Sequence, residues 1–74
     1  MGKETIYSEI TGTVWKVLVS EGDTVSNESE LIILESMKME IPVESTTGGT
    51  VADIFVNEGD PVEEDQALVI IESD

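Results

Sequence analysis

Residues 12–36 read GTVWKVLVSEGDTVSNESELIILES, and residues 49–73 read GTVADIFVNEGDPVEEDQALVIIES. Aligned at an offset of 37, the two stretches are identical at 12 of 25 positions. Self-similarity of this kind indicates one structural unit that is used twice. Because two copies are too few for a solenoid, the repeat predicts a single domain with a pseudo-two-fold axis.

Each copy of the repeat has the pattern of β-strands. Apolar runs such as 31–34 and 68–71 are rich in Leu, Val and Ile, and Glu-Gly-Asp turns interrupt each copy. No segment keeps a 3.6-residue period over the length of a helix. Pro42 and Pro61 disfavour helix further and predict strand edges or strand ends. The chain is therefore expected to be all-β, with two small antiparallel sheets packed as a sandwich or flattened barrel.

Four glycines match between the two copies of the repeat and are expected to adopt positive φ in turns. They are Gly12, Gly22, Gly49 and Gly59.

Trp15 has Ala52 as its counterpart in the second copy. Trp15 could be half-buried or could form a contact surface, and the sequence favours packing.

The composition limits the function. The 74 residues contain no Cys and no His, so the commonest metal ligands and the commonest general base are missing, and an enzyme acting alone is not expected. A net charge of −14 argues against binding to nucleic acid or to an anionic membrane surface. The acidic turns lack the spacing of a calcium loop, so no metal site is expected. No stretch could span a membrane and no signal-peptide core is present, which predicts a cytoplasmic location.

Lys38 is the strongest candidate for a functional residue. It lies in Glu35-Ser36-Met37-Lys38-Met39-Glu40, between two strand-like runs. Met-Lys is a poor choice for a two-residue hairpin turn, where Asn-Gly is favoured, and such a local conflict marks a candidate site. At a hairpin tip Met37 and Met39 could not easily reach the core. They would instead form an exposed apolar patch around an amine, which suggests recognition by a partner.

The repeat also predicts where Lys38 lies. The equivalent of the turn in the other copy falls at the two chain ends, so Lys38 is expected at the end of the domain opposite both termini.

The segment from Glu35 to Glu40 resembles the Glu-Ala-Met-Lys-Met attachment motif of biotinyl domains, with Ser36 in place of Ala. The pattern Val-x-x-Gly-Asp-x-Val at 19–25 and 56–62 is also similar to that family. The resemblance extends from about Ile6 to Glu72. The whole chain, 1–74, looks like one biotinyl domain, either a small stand-alone biotin/lipoyl attachment protein of bacteria or a carboxyl-carrier domain of a longer subunit.

This resemblance implies a fold, a cofactor and partners. The fold would be the barrel-sandwich hybrid, or flattened hammerhead barrel, of two four-stranded antiparallel sheets. Lys38 would carry covalently bound biotin, and Met37, Met39, Glu35 and Ser36 would contribute to recognition. A biotin protein ligase would activate the biotin carboxyl group, and Lys38 would attack it. The carrier would then shuttle carboxylate between the active sites of biotin carboxylase and carboxyltransferase, without catalysis of its own.

Two alternatives remain beside the biotinyl carrier. One is a lipoyl carrier of a dehydrogenase or glycine-cleavage complex, which the Met-Lys-Met context disfavours. The other is a structural domain of the same fold, in which Lys38 would be incidental.

The connection at 20–24 is short. It leaves no room for the thumb, an insertion before the attachment hairpin that many bacterial acetyl-CoA carboxylase carriers have.

Overall fold

The computed structural model describes residues 2–73, and all of its regular secondary structure is β-strand. Eight strands form two four-stranded antiparallel sheets, which confirms the predicted fold class. One sheet has the order β1-β8-β6-β3, and the other has the order β5-β4-β2-β7. The strands are β1 (Gly2–Tyr7), β2 (Gly12–Val17), β3 (Thr24–Val25), β4 (Glu30–Ser36), β5 (Met39–Glu44), β6 (Gly49–Ile54), β7 (Pro61–Val62) and β8 (Ala67–Ser73).

The two sheets repeat each other in detail. At the offset of 37, β1, β8, β6 and β3 correspond to β5, β4, β2 and β7, which occupy the same order in the other sheet. The register shifts once between Val14 and Lys16 in β2 and once between Val51 and Asp53 in β6, so each copy carries a β-bulge at the same place. The sequence repeat is therefore a structural repeat.

The core lies between the sheets and is built from the inward-facing residues of both copies. Because side chains alternate along a strand, one face of each sheet is apolar and the other faces solvent. Full burial of one such aliphatic side chain contributes roughly 1.5–3 kcal/mol to folding. The buried apolar residues are Ile6, Val14, Val25, Leu31, Ile32, Leu34, Val51, Val56, Val62, Leu68, Val69 and Ile71.

The matched glycines serve two different purposes. Gly22 and Gly59 have φ of 94° and 93°, as predicted for turns. Gly12 and Gly49 do not have positive φ, so the prediction was wrong for this pair. A Cβ on Gly12 would lie 2.6 Å from the carbonyl oxygen of Glu35, and one on Gly49 would collide with a backbone carbonyl of β8. These two glycines are needed because a neighbouring backbone passes too close for a side chain.

The two prolines lie where the sequence predicted. Pro42 is in β5 and Pro61 is in β7, and these are the two edge strands of the same sheet. An edge strand tolerates proline because one of its sides makes no ladder hydrogen bonds.

Each Glu-Gly-Asp loop accepts a hydrogen bond from the end of a strand in the other copy of the repeat. The backbone N–H of Val17, at the end of β2, donates to Oε2 of Glu58 at 3.2 Å. The backbone N–H of Ile54, at the end of β6, donates to Oε2 of Glu21 at 3.3 Å. Two carboxylates of the acidic turns therefore satisfy backbone N–H groups at strand ends in the opposite copy of the repeat.

Candidate functional site

The turn at Lys38 contains two residues. Ser36 and Met39 are the last paired residues of β4 and β5, which leaves Met37 and Lys38 between them. Their φ values are 53° and 66°, so both have left-handed backbone, as in a type I′ hairpin turn. For an L-residue other than Gly this conformation costs roughly 1–2 kcal/mol. The pairing of the two strands imposes the turn on residues that do not favour it.

The side chains of the turn project into solvent. Lys38 is exposed, and Met37 and Met39 are 91% and 63% exposed. Both methionines therefore lie away from the core, as predicted, and their role in recognition by a partner stays a prediction. The methionines lie on either side of Lys38 in the chain, and the two paired strands hold the backbone of the turn.

The turn lies at the opposite end of the domain from the first and last described residues, Gly2 and Ser73. These two residues pair where β1 begins and β8 ends. The first strand and its loop then run along the molecule to Thr11, whose carbonyl accepts a hydrogen bond from Oγ of Ser36 at 3.2 Å. The longest dimension of the domain is 37 Å. This arrangement agrees with the position predicted from the repeat.

The other predicted recognition residues flank the turn. Glu35 is exposed and pairs with Glu40 across the hairpin, one step from the turn. Ser36 is half-buried, and its bond to Thr11 ties the base of the turn to the loop between β1 and β2. All five residues from Glu35 to Met39 are thus brought together on one hairpin. Ser36 has a local structural role that the sequence did not indicate.

Trp15 lies outside the core and is more exposed than the half-buried packing that the sequence favours. Its side chain is 42% exposed, and Nζ of Lys16 lies 5.6 Å from the centre of a Trp15 ring. Trp15 follows the buried Val14 and therefore projects outward by the ordinary alternation of a strand. The β-bulge between Val14 and Lys16 adds Lys16 to the same outer surface, which alternation alone would not indicate.

The acidic turns make local hydrogen bonds. Oδ2 of Asp23 accepts from the N–H of Ser20 at 2.8 Å, and Oδ2 of Asp60 accepts from that of Asn57 at 2.9 Å. Within residues 2–73, no cluster of three or more acidic side chains is placed to hold a metal ion. The same part of the chain contains no helix with the length and apolar character needed to cross a membrane.

The sequence matches the biotin/lipoyl family model, described as a biotin-requiring enzyme, over residues 5–74. It is 52% identical over 40 residues to a biotinylated protein TB7.3 homolog of Mycobacterium leprae, covering 54% of this chain and 56% of that protein. It is 49% identical over 39 residues to a biotin/lipoyl attachment protein of Bacillus subtilis, covering 53% of each. The matched segment thus spans about half the length of these relatives.

The fold also matches solved structures. The crystal structure of Kluyveromyces lactis urea carboxylase superimposes with a TM-score of 0.91 at 38% identity, covering 97% of this chain and 6% of that one. A single-chain, multi-domain long-chain acyl-CoA carboxylase also gives a TM-score of 0.91, but at 23% identity it supports the fold alone. With the family model matching almost the whole length, this chain belongs to the biotin/lipoyl attachment family.

Proposed function

We propose that this chain is a biotin carboxyl carrier domain that holds biotin in amide linkage to Nζ of Lys38. The observation that carries the proposal is the exposed two-residue turn, which presents a lysine between two exposed methionines in a chain of this family. Relatives named as biotinylated proteins support the choice of cofactor.

The residues present fit covalent attachment at Lys38 better than at the other two lysines. Lys3 lies within β1, and Lys16 lies within β2 beside the ring of Trp15. Lys38 is outside any strand, at a tip where an enzyme can surround the amine from several sides. A turn held by paired strands also limits the orientations that the amine must search, which favours reaction.

Attachment requires the Lys38 amine to act as a nucleophile. The neutral amine would attack the carboxyl carbon of biotin activated as an acyl-adenylate, so that the amide C–N bond forms while the C–O bond to AMP breaks and AMP leaves. The proton that the amine loses would pass to a base on the ligase or to solvent. Biotin, when bound, supplies the atom that accepts and releases carboxylate. The chain itself provides a folded scaffold that positions Lys38, and it contributes no catalysis.

The proposed partners are a biotin protein ligase and the biotin carboxylase and carboxyltransferase active sites of a carboxylase. The structural similarity to a urea carboxylase supports a carboxylase context. The net charge of −14 favours partners with basic surfaces, since complementary charge increases the rate of encounter. We place these encounters in the cytoplasm.

Mass spectrometry tests the proposal directly. The chain is co-expressed with a biotin ligase, and intact mass and peptide mapping are used to locate the modification. One biotin on Lys38 is expected, with no label in Lys38→Ala or Lys38→Arg and full label in Lys3→Arg and Lys16→Arg. Label on Lys3 or Lys16, or label that persists in Lys38→Ala, would overturn the assignment.

A lipoyl carrier is the second candidate, because one relative is named a biotin/lipoyl attachment protein. The exposed turn would present Lys38 to a lipoyl ligase equally well. The two acyl groups differ in mass, so expression in cells that contain both ligases distinguishes them in a single spectrum. We expect the biotinyl adduct to predominate, because methionines flank Lys38 on both sides.

A further inference from the structure

The internal repeat provides a control for the role of Trp15. Trp15 and Ala52 occupy equivalent β-bulges, one in each sheet. Ala52 shows that the bulge forms without a large side chain, and Trp15 leaves 42% of its surface in solvent. The fold therefore does not require an indole at this position. An exposed tryptophan that the fold does not need indicates a contact surface, because Trp is enriched among the residues that dominate binding energy.

The strand register shows which residues share the surface with Trp15. Lys16 pairs with Ile33, and Ile33 pairs with Pro42, so these residues form a row across the outer face of the sheet. Pro42 is exposed and Ile33 is half-buried. We call Trp15, Lys16, Ile33 and Pro42 the Trp15 face.

The equivalent surface of the other sheet has different chemistry. Its row consists of Asp53, Ile70 and Thr5, with Ala52 in the bulge. The Trp15 face thus replaces a small residue and a carboxylate by an indole and an amine. The indole and the amine lie on the sheet that bears the Lys38 turn, although both sheets have the same backbone arrangement.

The Trp15 face lies within the footprint of an interface of standard size that is centred on the Lys38 turn. Ile33 precedes Ser36 by three residues in the same strand, which is about 10 Å at 3.4 Å per residue. A standard interface buries about 800 Å² on each partner, which corresponds to a disc with a radius of about 16 Å. An interface of this size that is centred on the turn reaches the Trp15 face.

We infer that the Trp15 face is a docking surface for the ligase that acylates Lys38. The inference rests on the proposed function. The ligase must bring the lysine amine itself to the reacting carbon, so its surface has to approach the turn and the hairpin beside it. Enzymes that act on an attached group reach it at the end of a longer arm and need less of the hairpin.

The charges of the hairpin define the surface that the ligase should present. Glu35 and Glu40 form the row between the Trp15 face and the turn. The matching ligase surface has basic side chains opposite these carboxylates and an apolar recess for the indole of Trp15. A second copy of this chain is a poor occupant, because each copy has a net charge of −14.

Steady-state biotinylation of the purified apo domain tests the inference. Trp15→Ala is expected to raise the KM for the domain and to lower kcat/KM about tenfold, with kcat little changed, because a docking contact contributes to binding. The melting temperature should change little, since Ala already occupies the equivalent bulge. Phe55→Ala removes a ring that is 53% exposed in the loop after β6 and is the matched control, with kcat/KM expected to be unchanged.

The pseudo-symmetry allows a swap. The double variant Trp15→Ala with Ala52→Trp keeps the composition but moves the indole to the other sheet, and kcat/KM should stay low. Wild-type kcat/KM in Trp15→Ala, an equal loss in Phe55→Ala, or rescue by the swap would overturn the inference. If the wild-type domain gained no biotin on Lys38, the proposed function itself would fail, and the inference with it.

A binding measurement that needs no substitution gives an independent answer. The chain has a single tryptophan, so the indole N–H gives one resolved signal in the NMR spectrum of the ¹⁵N-labelled domain. Titration with the ligase should shift or broaden this signal together with the amide of Ile33, while the amide of Ile70 on the other sheet is unaffected. An indole signal that does not respond at saturating ligase would contradict the inference.

Discussion

Ser36 pairs directly with Met39 across the β4–β5 hairpin, so the reversal of the chain is completed by two left-handed residues, Met37 and Lys38. Neither residue type favours this conformation, and Asn or Gly would be the usual choice. The turn therefore keeps residues that disfavour its backbone at the place where the proposed chemistry occurs.

Met37→Asn should stabilise the domain. Asn tolerates left-handed backbone because its side chain hydrogen-bonds locally, so we expect a gain of about 0.5–1 kcal/mol. In a domain of this size, about 1 kcal/mol corresponds to a rise of roughly 4–8 °C in melting temperature. Thermal unfolding followed by circular dichroism measures it. The control is Met39→Asn, at a strand position, which should give no such gain; equal gains in both variants would show that φ at position 37 is not the cause.

Met37→Ala and Met39→Ala should slow biotinylation while changing stability by less than about 0.5 kcal/mol, as expected for exposed positions. Leu34→Ala, in the buried part of the same hairpin, should cost about 2–5 kcal/mol because it empties a packed site. Denaturant unfolding and initial rates of biotinylation provide the two measurements. If the methionine variants lost as much stability as Leu34→Ala, these side chains would have to pack in the core.

Gly12→Ala should destabilise the domain by more than about 1 kcal/mol. Its φ is not left-handed, so the cost comes from the new Cβ, which would lie 2.6 Å from the carbonyl oxygen of Glu35. Gly2→Ala is the control, because nothing lies within 4 Å of a Cβ at Gly2. Chemical denaturation of both variants tests the contact; a Gly12→Ala domain as stable as wild type would show that the two strands separate at little cost.

Moderate salt should stabilise the domain. The chain has 17 acidic residues and only three lysines. Two pairs of like charge, Glu30 with Glu44 and Glu35 with Glu40, lie directly opposite each other in the hairpin. Such pairs are destabilising, and near 0.1 M salt the Debye length falls to about 10 Å. The melting temperature should therefore rise between 10 and 200 mM NaCl, by roughly 4 °C or more if about 1 kcal/mol of repulsion is screened.

KCl should have the same effect as NaCl at equal concentration, because screening does not depend on the identity of the cation. Glu44→Gln should raise the melting temperature at low salt and reduce the increase with salt, since it removes one member of a pair. A melting temperature that stays constant or falls with salt would show that the carboxylates are too dispersed to repel one another appreciably.

The sequence predicted most of the architecture because the fold repeats. The match between 12–36 and 49–73 predicted the pseudo-two-fold axis, and the two prolines predicted the strand edges. The exposure of Met37 and Met39 followed from their place at a hairpin tip. The axis follows from comparing two stretches of the sequence, and the other two predictions depend on local patterns, such as the missing N–H of proline, that act over only a few residues.

The errors have a common origin in contacts between segments. Gly12 appeared to be a turn glycine, but its role depends on how closely the backbone of Glu35 passes in the next strand. Trp15 appeared to be a packing residue, but it lies on the outer face of β2 and stays 42% exposed because the neighbouring strands cover only part of it. The reciprocal hydrogen bonds of Glu21 and Glu58 were not predicted, because each joins one copy of the repeat to the other.

The sequence by itself determined the strand content, the two-fold repeat and the turn that presents Lys38, because these follow from hydrophobic alternation and the positions of Gly and Pro. Only the tertiary structure decided which side chains share a surface, since strand register and bulges bring together residues distant in the chain. It also imposed left-handed backbone on Met37 and Lys38, because the cooperative pairing and packing of β4 and β5 outweigh the preference of two residues.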